Sequence, residues 1–158
     1  MEPPTITETT GNLLDADTEA LVNTVNTVGV MGKGIALEFR RDYPDMFEAY
    51  RNACERGDVQ LGKMHVWKTG APERPRYIIN FPTKGRWRPR SNLSDIESGL
   101  TDLVKVVTEL GITSIAIPPL GCGHGGLAWS AVRPLIVSAF SAPPHVDARV
   151  YPPPNEGD

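Results

Sequence analysis

The chain has only two cysteines, Cys54 and Cys122, far apart and outside any Cys-x-x-Cys pattern. That excludes a disulfide framework and points to a reducing cytoplasm. It opens with no signal-peptide hydrophobic region, and no apolar run is long enough to span a membrane, so no membrane partner is expected. An excess of positive charge is also missing: 16 Lys and Arg stand against 19 Asp and Glu, for a net charge of -3. Bulk charge therefore counts against a non-specific nucleic-acid binder. His65, His124 and His145 are scattered without ligand spacing, which disfavours a metal centre, and no cofactor is expected. There is no internal repeat, low-complexity block or long charge run.

What is present is an ordinary globular composition, 40% hydrophobic and 22% charged over 158 residues. A chain of this length fits one domain with a real core, expected as a monomer. Proline, at 15 residues, is about twice its usual share and concentrates at the two ends. Pro152-Pro153-Pro154 stops the last strand-like run, so residues 1–151 read as the domain and 152–158 as a tail or the start of a linker.

Between the ends, β-type runs alternate with helical periodicity. Runs at 6–10, 21–28, 64–68, 77–81, 114–118 and 148–151 make about six strands. Residues 94–110 form the clearest helix: Ser94-Asp95-Ile96-Glu97 reads as a capping box, Ile96, Leu100, Leu103, Val107 and Leu110 share one face, and Gly111 supplies the stop. Shorter stripes follow Ile35, Phe39 and Tyr43, then Phe47, Tyr50 and Cys54, and a fourth helix spans 129–140 with Pro134 inside it. Interleaved strands and helices predict a three-layer α/β/α sandwich.

Two glycine loops each follow a strand and precede a helix. The first is Gly29-Val30-Met31-Gly32-Lys33-Gly34. It fits neither the Walker pattern, because Lys33 precedes glycine, nor the dinucleotide fingerprint, because the glycine order is reversed. The second is Gly121-Cys122-Gly123-His124-Gly125-Gly126. Alone, either loop reads more simply as a tight connection. As a pair at strand C-termini they predict an anion site, most economically a diphosphate held between them. Asn12, Asn23 and Asn26 add carboxamides near the same edge, able to meet ribose hydroxyls or to cap turns.

These pieces resemble the macrodomain family of ADP-ribose-binding proteins. The string Gly11-Asn12-Leu13-Leu14, then Glu19-Ala20-Leu21-Val22-Asn23-Thr24-Val25-Asn26 and the first glycine loop is similar to that family's series. Ile79-Asn80-Phe81-Pro82-Thr83-Lys84 is similar to its DarG branch, bacterial antitoxins that remove ADP-ribose placed on thymidine bases of single-stranded DNA by a DarT toxin. The resemblance implies a macrodomain-like α/β/α sandwich with a mixed sheet and a DNA ADP-ribosyl glycohydrolase. It assigns Asn12 and Leu13 to the adenine end, Asn26 to the distal ribose, the two loops to diphosphate and ribose, and Lys84 to catalysis. Tyr151 is a weaker candidate for stacking on adenine. ADP-ribose and ADP-ribosylated DNA are the implied ligands, and a DarT-type toxin the implied partner, engaged through a C-terminal region absent here.

Two departures from the family pattern stand out. Asn12 replaces an aspartate, which removes charge assistance to adenine. The second loop carries no carboxylate, only His124. A binding module that does not cleave, or a hydrolase of ADP-ribosylated protein or small esters, therefore stays open. After Lys84 the chain reads Gly85-Arg86-Trp87-Arg88-Pro89-Arg90, and this basic strip with a tryptophan suits single-stranded DNA.

Overall fold

The computed structural model describes residues 5–86, 90–142 and 145–154. Strands β1 (Thr5–Glu8), β2 (Ala20–Asn26), β3 (His65–Lys68), β4 (Tyr77–Lys84), β5 (Ser114–Ile117) and β6 (Asp147–Val150) form one sheet in the order β1-β6-β5-β2-β4-β3. All neighbours are parallel except β3 with β4, so the sheet is mixed. Helices α1 (Gly34–Asp42) and α2 (Pro44–Glu55) cover one face, and α3 (Leu93–Leu110) and α4 (Trp129–Ala139) the other. The three-layer sandwich expected from the alternating pattern is present.

The layers follow from the period of two along each strand. Ala20, Val22, Ile79, Phe81, Ile115 and Ile117 pack with Ile96 and Leu103 of α3 and Val132 and Ile136 of α4. Leu21, Ile78 and Ala116 turn the opposite way, onto Phe39 of α1 and Met46, Phe47 and Tyr50 of α2. Burying each large apolar side chain contributes about 1.5–3 kcal/mol before the entropy of ordering is subtracted. Helix α3 lies so close to β4 that a Cβ at Gly99 would run into the Phe81 ring.

Several boundaries differ from the sequence expectation. The N-cap of α3 is Asn92, whose Oδ1 accepts from the Ser94 amide at 2.8 Å, so Ser94 sits inside the helix and its capping box does not form. Both residues suit a cap; Asn92 has the extended backbone that a cap requires. At the other end Gly111 is left-handed with φ 66°, as a helix stop demands. Helix α4 continues through Pro134. Strand β2 ends at Asn26 rather than Val28, and β4 runs on to Lys84, which therefore closes a strand instead of opening a loop. Pro82 is tolerated there because β3 pairs with β4 only as far as Asn80, leaving no ladder bond on that side to lose.

Strand β2 leads into α1 on one face while its neighbour β5 leads into α4 on the other. Their loops part at the C-terminal edge of the sheet, which is where a parallel sheet opens a ligand crevice.

Candidate active site

The first loop is built around Asn26. Its Oδ1 accepts from the amides of Val28 at 3.0 Å, Gly29 at 3.2 Å and Val30 at 3.4 Å, and its Nδ2 donates to the Val30 carbonyl at 2.9 Å. Gly29 is buried with φ 91°, and a Cβ there would lie 3.5 Å from Arg51 Cγ and 3.6 Å from Cys54 Cβ. Glycine is needed for its backbone angle more than for space. Because the amides of Val28, Gly29 and Val30 turn inward to Asn26, the amides left for an anion lie further on, at the start of α1. There Lys33 occupies the N-cap with no side-chain cap bond and no acidic residue follows in the first turn. An uncapped positive helix end favours an anion.

The second loop turns at Gly121 (φ 74°), forms a short 3-10 turn at Gly123–Gly125, and leaves through Gly126 (φ 81°). Ala128, the N-cap of α4, also makes no side-chain cap bond. Cys122 is half-buried, and His124 is exposed. The loop is crowded from beneath by Ser91: a Cβ at Gly125 would lie 2.5 Å from Ser91 Oγ, and one at Gly121 would lie 3.1 Å from Ser91 Cβ. The Ser91 amide donates to the Gly125 carbonyl at 2.9 Å.

Lys84 stands opposite Asn26 in the register of β4 and β2, just past an irregularity between Val25 and Asn26. Its carbonyl accepts from the Thr27 amide at 3.1 Å, and it is half-buried. From there the chain passes exposed Arg86 and Arg90 to Ser91, so the basic strip links the end of β4 to the second loop. A Cβ at Gly126 would lie 3.8 Å from Arg90. Trp87 and Arg88 lie outside the described residues. Lys84, Asn26, the uncapped start of α1 and the second loop thus share one edge of the sheet. Val28, Val30 and Leu93, the exposed large hydrophobics among the described residues, lie on the segments that follow β2 and β4 at this edge.

Other expected residues are placed differently. Asn23 is fully buried within β2, and its Nδ2 donates to Asn80 Oδ1 at 3.1 Å. It belongs to a polar pair inside the core and does not face the crevice. Met31 is also fully buried, with its sulfur 3.7 Å from Asn23 Nδ2, so the loop anchors itself by this side chain instead of offering it to a ligand. Asn12 is the N-cap of a 3-10 turn (Leu13–Asp15), accepting from the Leu14 amide at 3.1 Å, and Leu13 is buried beneath it. Tyr151 is half-buried after β6, its amide bonded to the Ile117 carbonyl at 2.9 Å.

Sequence reasoning overlooked Tyr50, His65 and Ser91. Tyr50 reads as one member of an apolar helical stripe, yet its hydroxyl reaches Asn26. His65 Nδ1 lies 3.0 Å from Asn80 Nδ2, and burial lowers its pKa, with the Arg56 charge adding to the effect and Asp58 opposing it. A groove of about 290 Å³ between α3 and α4 is lined by Leu100, Val104 and Leu135, away from this edge. It holds none of the residues above, so the crevice with its polar and backbone groups is the better site.

Fold and site together define an α/β/α domain with two glycine loops at the switch point of a mixed sheet, an edge suited to an anionic ligand. The Macro domain family model matches residues 22–136, and the chain belongs to the macrodomain family. It is 60% identical over 148 residues to a DNA ADP-ribosyl glycohydrolase of Mycobacterium tuberculosis, covering 94% of this chain and 42% of that protein. The chain thus spans less than half the length of the curated relative it matches. The solved macrodomain of Mycobacterium tuberculosis DarG superimposes with a TM-score of 0.92 at 59% identity, over 95% of this chain and 99% of that one. Thermosipho africanus DarTG in complex with ADP-ribose superimposes with a TM-score of 0.89 at 31% identity, over 98% of this chain and 43% of that one.

Proposed function

We propose that this domain is a DNA ADP-ribosyl glycohydrolase that removes ADP-ribose from thymidine bases in single-stranded DNA, as part of a DarG-type antitoxin. The observation that carries the reading is the juxtaposition of Lys84 with Asn26 at the mouth of the crevice. The DNA ADP-ribosyl glycohydrolase of Mycobacterium tuberculosis and the ADP-ribose complex of Thermosipho africanus DarTG support it.

In this reading the diphosphate lies against the uncapped start of α1 and the second loop. The distal ribose reaches Asn26, and adenine lies toward Asn12, Leu13 and Tyr151. The reaction breaks the bond from the anomeric carbon to a thymine ring nitrogen. The bonding pair leaves with the nitrogen, water supplies a hydroxyl to the carbon, and the departing base ends protonated. Lys84 provides a cation where that base becomes anionic, the point at which electrostatic stabilisation acts on the transition state. Arg86 and Arg90 hold flanking phosphates, with Trp87 and Arg88 completing the strip. A DarT-type toxin would make the substrate, and Cys54 and Cys122, which are not joined in a disulfide, suit the cytoplasm.

The second loop has no carboxylate, which favours as a second reading a module that binds ADP-ribose without hydrolysing it. Incubating the chain separately with thymidine-ADP-ribosylated oligonucleotide, ADP-ribosylated protein and free ADP-ribose decides between them. Release of ADP-ribose from the oligonucleotide alone supports the proposal; binding of free ADP-ribose with no release from either conjugate would replace it with the binding module.

A further inference from the structure

Tyr50 is fully buried on α2, its ring between Phe47 and His65, each with its centroid 6.3 Å away. Its hydroxyl reaches the end of β2, 2.7 Å from the carbonyl oxygen of Asn26 and 2.8 Å from Asn26 Oδ1. One phenolic hydrogen is therefore shared by two oxygens of one residue. The same Oδ1 accepts from the Val28, Gly29 and Val30 amides. Turning the carboxamide over would set its NH₂ against three N–H groups, so these donors fix which end faces the loop. With one Nδ2 hydrogen committed to the Val30 carbonyl, the other remains for a ligand. Asn26 is then a donor to ligand, and not the donor and acceptor that its side chain alone would allow.

We propose that Tyr50 is a positioning residue for the ADP-ribose site, its hydroxyl locking the Asn26 carboxamide and through it the first glycine loop. The inference rests on the reading of the crevice as an ADP-ribose site. Burial, with Cys54 next in effect, raises the Tyr50 pKa far above its ordinary value, so the hydroxyl stays a donor throughout the working pH range. The ring and the hydroxyl are separable: the ring fills the core under β2, whereas the hydroxyl reaches the carbonyl and the carboxamide of Asn26.

The test is Tyr50→Phe in the full chain, which keeps the ring and removes the donor. Without ligand, amide exchange followed by NMR should become faster at Val28, Gly29 and Val30 by about 3- to 10-fold, the worth of one net hydrogen bond. Free ADP-ribose should bind about 3- to 10-fold more weakly on the same grounds, with KM for the ADP-ribosylated oligonucleotide rising more than kcat falls. In an Asn26→Ala background the same change should add less to the binding loss than it costs alone, because the carboxamide is gone and only the backbone carbonyl at position 26 remains to accept from the hydroxyl. Unchanged exchange at the loop overturns the proposal, as does a binding loss that adds in full to that of Asn26→Ala. If the unmodified chain fails to bind ADP-ribose, the functional reading falls while the exchange measurement still decides what Tyr50 does to the loop.

Discussion

Asn26 and Lys84 sit side by side at the C-terminal ends of the parallel strands β2 and β4, and the amide of the next residue, Thr27, donates to the Lys84 carbonyl at 3.1 Å. A residue shaping the first glycine loop and a cationic side chain are thereby held by one sheet, not by a flexible loop. Catalytic placement on a strand end restricts the error in position that a loop would permit. The extension of β4 through Pro82 is what makes this possible.

The second loop is packed too tightly for a side chain at Gly121. Its φ is 74°, and a Cβ would lie 2.7 Å from Leu127 Cδ1 and 3.1 Å from Ser91 Cβ. Left-handed strain and overpacking together should make Gly121→Ala less stable by about 2 kcal/mol or more, lowering the melting temperature by about 4 °C or more. Calorimetry reads this directly; an unchanged melting temperature contradicts the packing described.

Ser91 gives the opposite prediction. Its Oγ is buried with no hydrogen-bond partner among the described residues, so Ser91→Ala should be neutral or stabilising, by up to about 1 kcal/mol. It should also soften the effect of Gly125→Ala, since the 2.5 Å clash involves that oxygen. Denaturant titration of the two single variants and the double tests both parts, and strictly additive losses would show that the contact does not matter.

His65 couples stability to pH. Its pKa is lowered in the fold, chiefly by burial, from an unfolded value of about 6.5. Asn80 Nδ2 faces Nδ1, so that nitrogen accepts and a proton there would oppose an N–H. The unfolded chain then binds the proton first as pH falls. The contribution of His65 is complete above about pH 6.5 and declines as pH drops toward its folded value. Unfolding curves between pH 5 and 8 should show a steeper acid-side loss for the unmodified chain than for His65→Gln; identical slopes would exclude this role.

The basic strip should matter for DNA and not for the small ligand. Arg86→Glu and Arg90→Glu are expected to weaken hydrolysis of ADP-ribosylated oligonucleotide and flatten its salt dependence, while free ADP-ribose affinity changes little. Equal losses in the two assays would count against the DNA path.

Much of this was legible from residue order. Six β-type runs, four helical stripes and two glycine loops were placed within a few residues, because strand alternation, helical periodicity and glycine stops are local signals. Sheet order was not legible, nor was the antiparallel pairing that sets β3 at the edge, since pairing depends on contacts distant in sequence. Asn23 illustrates the limit within the site. A carboxamide in a strand could face a ribose or another buried carboxamide, and Asn80, 57 residues away, settles it. Tyr50 was hidden for a related reason: its ring satisfies the helical stripe while its hydroxyl acts on another element.

The central claim is that Lys84 acts on the glycosidic bond at the end of β4. Its most direct test is single-turnover release of ADP-ribose from a thymidine-ADP-ribosylated oligonucleotide by the unmodified chain and by Lys84→Ala, with free ADP-ribose affinity measured for both. The account predicts release by the unmodified chain, a loss of about 100-fold or more in the variant, and similar ADP-ribose affinity. Near-normal release by Lys84→Ala would contradict it.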